Sequence, residues 1–247
     1  MALTRTTTAA NVLNRAAVEI GLDPATDPFA TDDKSFLQLI ALLNTAGEEL
    51  ATAYNWEFLV RSYQITTLST DTGDYPLPAD FLYMLPQTGW ELSNQVPIGG
   101  PLSAQDWTYL QGANLASTTI YASFRQRQGL FSIFPQPPPD GLDIRFEYQT
   151  KNWVLDADDP LLEKDEVQKT GDLILFDKVL ISRYLKVKFL EAKGLDSSKA
   201  QDDFVQMFSA LTNLDKGVGA ILNAGGARRG YPYLDYRNVP ITNFGAP

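Results

Sequence analysis

The densest set of groups that could do chemistry is a carboxylate run, Asp156-Ala157-Asp158-Asp159-Pro160, continuing to Glu163, Asp165 and Glu166. A hard cation such as calcium takes about six to eight oxygens from a run of this kind. Pro160 stiffens the loop where it would have to bend, and the glycine of a calcium-binding loop is missing, so the run reads first as a solvated acidic linker. Glu57, Glu91 and Glu147 flank aromatic residues, and a pair of carboxylates desolvated in this way could cut glycosides without histidine. Nothing in their spacing selects two of the three. Gly217-Val218-Gly219 falls inside a helical pattern with no strand before it, which is not a dinucleotide-binding turn. Lys178, Arg183, Lys186, Lys188 and Lys193 make one stretch basic. A polar helix face accounts for them, and a DNA- or partner-facing stripe is the sharper alternative.

Composition removes most other chemistry. The 247 residues contain no histidine and no cysteine. That excludes Ser-His and Cys-His nucleophiles, imidazole and thiolate metal ligands, and disulfides. No catalytic residue, metal site or cofactor is assigned. A net charge of −10 argues against a dedicated nucleic-acid binder, whose footprint is a basic face. It is compatible with a wall that DNA slides past. The most apolar stretch, Leu173 to Leu190, is interrupted by five charges, so no membrane span is expected. The N-terminus lacks an apolar signal core, and no secretion is expected.

The elements that must carry these residues follow from periodicity. Val12, Leu13, Ala16, Ala17 and Ile20 predict a helix stopped by Gly21. Phe36, Leu39, Ile40, Leu43, Ala46, Leu50 and Tyr54 predict a second, starting near Thr31-Asp32-Asp33. From Arg61 the pattern becomes alternation, with strands expected at 90–92, 118–125, 130–134 and 142–150 and one helical turn at 103–110 capped by Ser103. Two further helices are expected over 172–193, stopped by Gly194, and over 197–222. The fold class is therefore α+β. Segments 1–60 and 165–222 form a four-helix layer, and an antiparallel β module is inserted at 61–164. The turn into that module is Tyr75-Pro76-Leu77-Pro78-Ala79-Asp80-Phe81, with the rings of Tyr75 and Phe81 expected beneath the two prolines. Residues 223–247 have no periodicity but are rich in Tyr and Arg, and read as an extended docking arm.

Taken together, the order of elements resembles the head-to-tail adaptor proteins of short-tailed bacteriophages, the tail tubular protein A or portal-proximal adaptor family. Three stretches carry the resemblance. They are the helical pair ending in Asn55-Trp56-Glu57-Phe58, the Tyr75–Phe81 turn, and Leu175-Phe176-Asp177-Lys178 through Phe189–Asp196 followed by an arm with Asn238-Val239-Pro240. The resemblance implies a non-enzymatic structural protein of the virion neck, assembled in the host bacterial cytoplasm. It implies a homo-oligomeric ring of about twelve copies under the portal protein. Genomic DNA would pass through that ring without sequence-specific binding, and tail nozzle or fibre proteins would attach below. Arg228, Arg229, Tyr231, Tyr233, Tyr236 and Arg237 become portal-contact candidates. Trp90, Trp107 and Trp153 become tail-contact candidates, although a module core explains them as well. The alternatives are a virion enzyme cutting glycan through a carboxylate pair, or another tail component such as a nozzle protein.

Overall fold

A computed structural model describes residues 6–112 and 122–215. The chain is mixed α and β with antiparallel sheets, built around two hydrophobic cores.

The first core is helical. Helix α1, Ala9–Glu19, buries Val12, Leu13, Ala16 and Ala17 on one stripe. At its end Gly21 has φ +84°. Gly21 N donates to Val18 O at 3.2 Å and Leu22 N to Ala17 O at 2.8 Å, a Schellman cap that needs the left-handed conformation. Helix α2, Lys34–Ala53, starts at Asp33, whose side chain accepts from Ser35 N, and buries Phe36, Leu39, Leu43, Ala46 and Leu50.

Helix α4, Lys178–Ala192, packs against α1, α2 and α5, Ser198–Asp215. It ends as α1 does, with Gly194 N on Glu191 O and Leu195 N on Leu190 O, both at 2.9 Å. The α4 helix starts later than the expected 172 because Asp172–Ile174 has other work. Leu173–Ile174 is a strand, β12, pairing with β1, Thr7–Thr8, and with β10, Val154–Leu155. Asp177 then caps α4 through Val179 N at 2.8 Å.

Trp153 closes this core. Its indole lies over the backbone of α2 at Gly47, where a Cβ would come within 2.1 Å of the ring. Glycine is there for close approach, in the middle of a helix it would otherwise weaken.

The second core is a β sandwich. Strand β9, Asp143–Thr150, is its centre. Strand β2, Val60–Thr66, pairs with it along its length, from Val60↔Gln149 to Thr66↔Asp143. On its other side β9 meets β4, Phe81–Met84, and β5, Trp90–Glu91, which continues to β6, Val96–Pro97. A facing sheet runs β3, Asp74–Pro76, then β8, Leu130–Phe134, then β7, Ser123–Arg127. The strand expected at 118–125 thus lies at 123–127, with 113–121 outside the described residues. Between the sheets Phe131 stacks on Phe124 at 4.7 Å and on Phe146 at 4.9 Å. Helix α3, Ala104–Gly112, follows Ser103, whose Oγ accepts from Asp106 N at 3.1 Å. Packing changes hands between Tyr148, in the β core, and Trp153, in the helical one. Among the described residues no helix is long and apolar enough to cross a membrane.

Candidate interaction surfaces

Of the carboxylates singled out in the sequence, the fold buries Asp156, at the head of the acidic run, and Glu91. Asp172 is fully buried and Asp156 nearly so. Between them sits Lys164 Nζ, 2.9 Å from Asp156 Oδ2 and 2.8 Å from Asp172 Oδ2. The second oxygen of Asp156 accepts from Asp158 N at 2.8 Å. Asp172 also accepts from the backbone N–H groups of Gln168, Lys169 and Ala157. The Lys164 ammonium, helped by the Asp158 N–H, holds the Asp156 carboxyl far below the ordinary carboxylate range. Burial alone would raise Asp172, but Lys164 and the backbone donors outweigh it and its pKa falls. The first residue of the run, Asp156, is therefore part of a clasp between β10 and the start of β12, while Asp158, Asp159 and Glu166 are exposed as a solvated linker would have them. The oxygens a cation would need are taken by an ammonium and by N–H groups. Outside the clasp the turn exposes Leu161 at 90% and Leu162 at 52%. Leu161 stands on the rim of a polar cleft of about 510 Å³, shared with Asp80, Lys151 and Gln168.

Glu91 is the second site. Its side chain is fully buried and accepts from Ser93 N at 2.8 Å, Asn94 N at 2.7 Å and Asp143 N at 3.3 Å. Burial pushes its pKa up, yet the Asn94 and Ser93 N–H groups overcome it and the carboxyl stays below its ordinary value. A proton donor for glycoside cleavage needs the opposite shift. Glu91 instead locks the hairpin from β5 to β6, and that hairpin displays Trp90 and Leu92, 41% and 43% exposed. With Thr88, Arg145 and Glu147 they line a groove of about 300 Å³ on the outer sheet face.

Three of the five cations of the basic row, Arg183, Lys186 and Lys188, reach neighbouring helices, while Lys178 and Lys193 are exposed. Lys186 reaches Glu19 on α1 at 3.5 Å, and Lys188 reaches Glu49 on α2 at 2.7 Å. Tyr184 also donates to Glu49 and stacks on Phe204 of α5 at 4.4 Å. Arg183 donates to Asp203 O on α5 at 2.7 Å. These three cations tie α4 to its neighbours, as a structural helix face would.

The sequence profile of the SU10 adaptor protein, a family of phage head-to-tail adaptors, matches residues 7–230. The chain belongs to this family. No curated protein matches it. Membership makes it a structural adaptor of a bacteriophage, associated with portal and tail components at the neck of the virion.

In this adaptor the three tryptophans expected as tail contacts separate. Trp90 is at the surface. Trp107 is 7% exposed and packs edge-on to Phe134 at 6.2 Å. Trp153 is 0% exposed in the helical core, so it offers no surface at all. The rings flanking the proline turn both pack against the sandwich core, with Leu77 between them in sequence. Tyr75 packs into the sandwich and donates to Asp71 at 2.8 Å, while Phe81 stacks on Tyr148 at 5.5 Å. Pro76 ends β3 opposite Leu130, and the Pro78 carbonyl accepts from Phe81 N at 3.0 Å. The arm candidates Arg228, Arg229, Tyr231, Tyr233, Tyr236 and Arg237 lie outside the described residues. Sequence reasoning missed Leu161, Leu162 and Arg145. Two leucines between a proline and acids, where no helix or strand pattern runs, were the available signal for the first two.

Proposed function

We propose that the adaptor docks as a homo-oligomeric ring of about twelve copies beneath the portal protein, by heterologous contacts that close on themselves. The ring extends the channel through which genomic DNA is ejected and gives tail nozzle or fibre proteins a platform. Its chemistry is geometric. Residues 223–247, with Arg228, Arg229, Tyr231, Tyr233, Tyr236 and Arg237, form the portal-docking arm, since Tyr and Arg are favoured interface anchors. The net charge of −10 suits a channel wall to which phosphates do not adhere.

The observation that carries the tail-facing half of this reading is the Trp90–Leu92 strip. An antiparallel sheet with one solvated face normally shows polar residues there. Here an exposed indole and an exposed leucine sit on a hairpin fixed by a buried carboxylate. A rigid aromatic anchor beside a groove is the form an interface hot spot takes.

The test is the mass in solution of the adaptor mixed with its phage's portal, beside the same mixture with a chain ending at Leu222. A large complex with the whole chain and none with the truncated one is expected. Absence of a complex in both mixtures would remove the docking reading.

A further inference from the structure

Strand β9 carries a row of alternating charge on its outer face. Its Ile144, Phe146 and Tyr148 turn into the sandwich, so Asp143, Arg145 and Glu147 stand on the other side. Arg145 and Glu147 are exposed and Asp143 is half-buried. Successive members of the row lie two residues apart, about 6.8 Å on an antiparallel strand. Among the described residues none of the three is in an ion pair. The Asp143 carboxylate accepts from Thr66 Oγ1 at 2.5 Å, and Arg145 donates Nε to Ser62 Oγ at 2.8 Å. Among the same residues the two Nη groups of Arg145 and the carboxylate of Glu147 make no hydrogen bond.

An apolar lane runs beside this row. Trp90 is in register with Arg145, and Leu92 N donates to Asp143 O at 2.7 Å. Buried Glu91 lies between them, which puts Trp90 and Leu92 on the outer face with the charges. On the other flank Gln64 and Ser62 oppose Arg145 and Glu147, and both are exposed and uncharged. A partner lying along β9 therefore needs a cation, an anion and a cation in that order, with an apolar group on the β5 side. Spacing selects its secondary structure. Alternate residues of a strand repeat the step of about 6.8 Å on one face. On a helix, positions i and i+4 are about 6 Å apart, and each step turns about 40° away from a flat face.

We propose that the outer face of β9 docks a strand of a tail component whose exposed side presents cation, anion and cation at alternate positions, with an apolar side chain over Trp90 and Leu92. The partner is the tail component of the function proposed above, and the assignment rests on that reading. Facing sheets pack about 10 Å apart, a gap that arginine, lysine and glutamate side chains bridge in pairs. A net positive row also suits an adaptor of charge −10, since complementary charge speeds encounter. A second copy fits poorly. With two such rows in full overlap, parallel or antiparallel, Arg145 faces Arg145 and acid faces acid. DNA fits no better, because two of the three charges repel its phosphates.

Affinity for the purified nozzle protein of the same phage, and for its fibre protein, is measured with the parent adaptor, Trp90→Ala, Arg145→Glu and Glu147→Lys. The parent is expected to bind one of them, more weakly as salt rises. Each charge reversal is expected to weaken binding about tenfold, because like charges then meet, with unchanged denaturation midpoints showing that the fold is intact. Rescue reads the partner's structure. An acid-to-arginine change in the tail protein should restore Arg145→Glu, and a base-to-glutamate change two positions away should restore Glu147→Lys. Rescuing positions three or four apart would replace the strand by a helix and overturn the proposal. Reversals that bind as the parent does, beside a Trp90→Ala that does not, sink the charge-matched strand and leave the tail-facing reading intact. A parent that binds neither protein removes the tail-facing reading and the strand with it. A parent that self-associates when alone, and becomes monomeric on Arg145→Glu, would give the face to a second copy instead.

Discussion

The helical core and the β sandwich of the adaptor bury aromatic rings in comparable numbers, yet they are finished to different degrees. In the helical core Trp153 and Phe176 are completely enclosed, α4 is held on three sides, and the Asp156–Lys164–Asp172 clasp seals the entry of the chain. In the sandwich the centre is equally tight around Phe131. Its margins are open, with Tyr63 and Leu77 half-buried, β2 unpaired on one edge among the described residues, and Trp90 displayed on the outer face. The helices expose single aliphatic residues such as Val18, Leu37, Val205 and Leu214, whereas the module exposes aromatic surface of the kind partners bind. The difference divides labour. On the proposed function, tail recognition would draw on the module, through its exposed Trp90 and Leu92.

Substitutions can break that division or sharpen it. The largest effect belongs to Trp153→Ala, which empties the helical core at Gly47 and is expected to cost about 3–5 kcal/mol. Chemical denaturation reads it, and a loss below 1 kcal/mol would mean that the helical core is not closed by this ring.

Asp172→Asn should cost roughly 1.5–3 kcal/mol, the range for hydrogen bonds to charged groups. It has a pH signature too. Asp172 and Asp156 have folded pKa values below their unfolded ones. Their contribution is therefore present above the unfolded value of about 3.9, and is lost as the pH falls through the lower folded values. The acid limb of a stability-against-pH curve should flatten in Asp172→Asn and steepen again in the parent chain.

A smaller loss, about 1 kcal/mol, is expected for Glu91→Gln, because the amide keeps some acceptance from Ser93 and Asn94 but not the charge. Hydrogen exchange should quicken at those two amides while the helices are unaffected. The smallest effect on folding belongs to Trp90→Ala, within about 0.5 kcal/mol. Its effect on capture of tail components should be the largest of the four, and equal capture by the variant would remove Trp90 from the interface.

Much of this molecule was legible in the residue order. The apolar stripes of α1 and α2, the stops at Gly21 and Gly194, the cap at Ser103 and the alternation from Leu142 to Tyr148 depend on local periods and local backbone geometry, so they can be read without a fold. The candidate sites were legible only as residue types. Asp156 read as solvated, like its exposed neighbours Asp158 and Asp159, because a carboxylate run carries no mark of the lysine that will face one of its members. Trp153 read as a possible contact because an indole in a loop looks the same whether it meets solvent or the glycine of a distant helix. Glu91 read as a candidate acid because its aromatic neighbours are visible in the sequence and its backbone donors are not.

The sequence by itself determined the apolar stripes of the helices, several of their caps and stops, and the alternation of the central strand, since hydrophobic period, caps and left-handed glycines act over a few residues. It also determined which chemistries are unavailable, since a chain without histidine or cysteine cannot supply their ligands or nucleophiles. Only the tertiary structure decided which charges are neutralised and which tryptophan reaches the surface. Those depend on side chains brought together from positions far apart in the chain, such as Gly47 with Trp153 and Ser62 with Arg145.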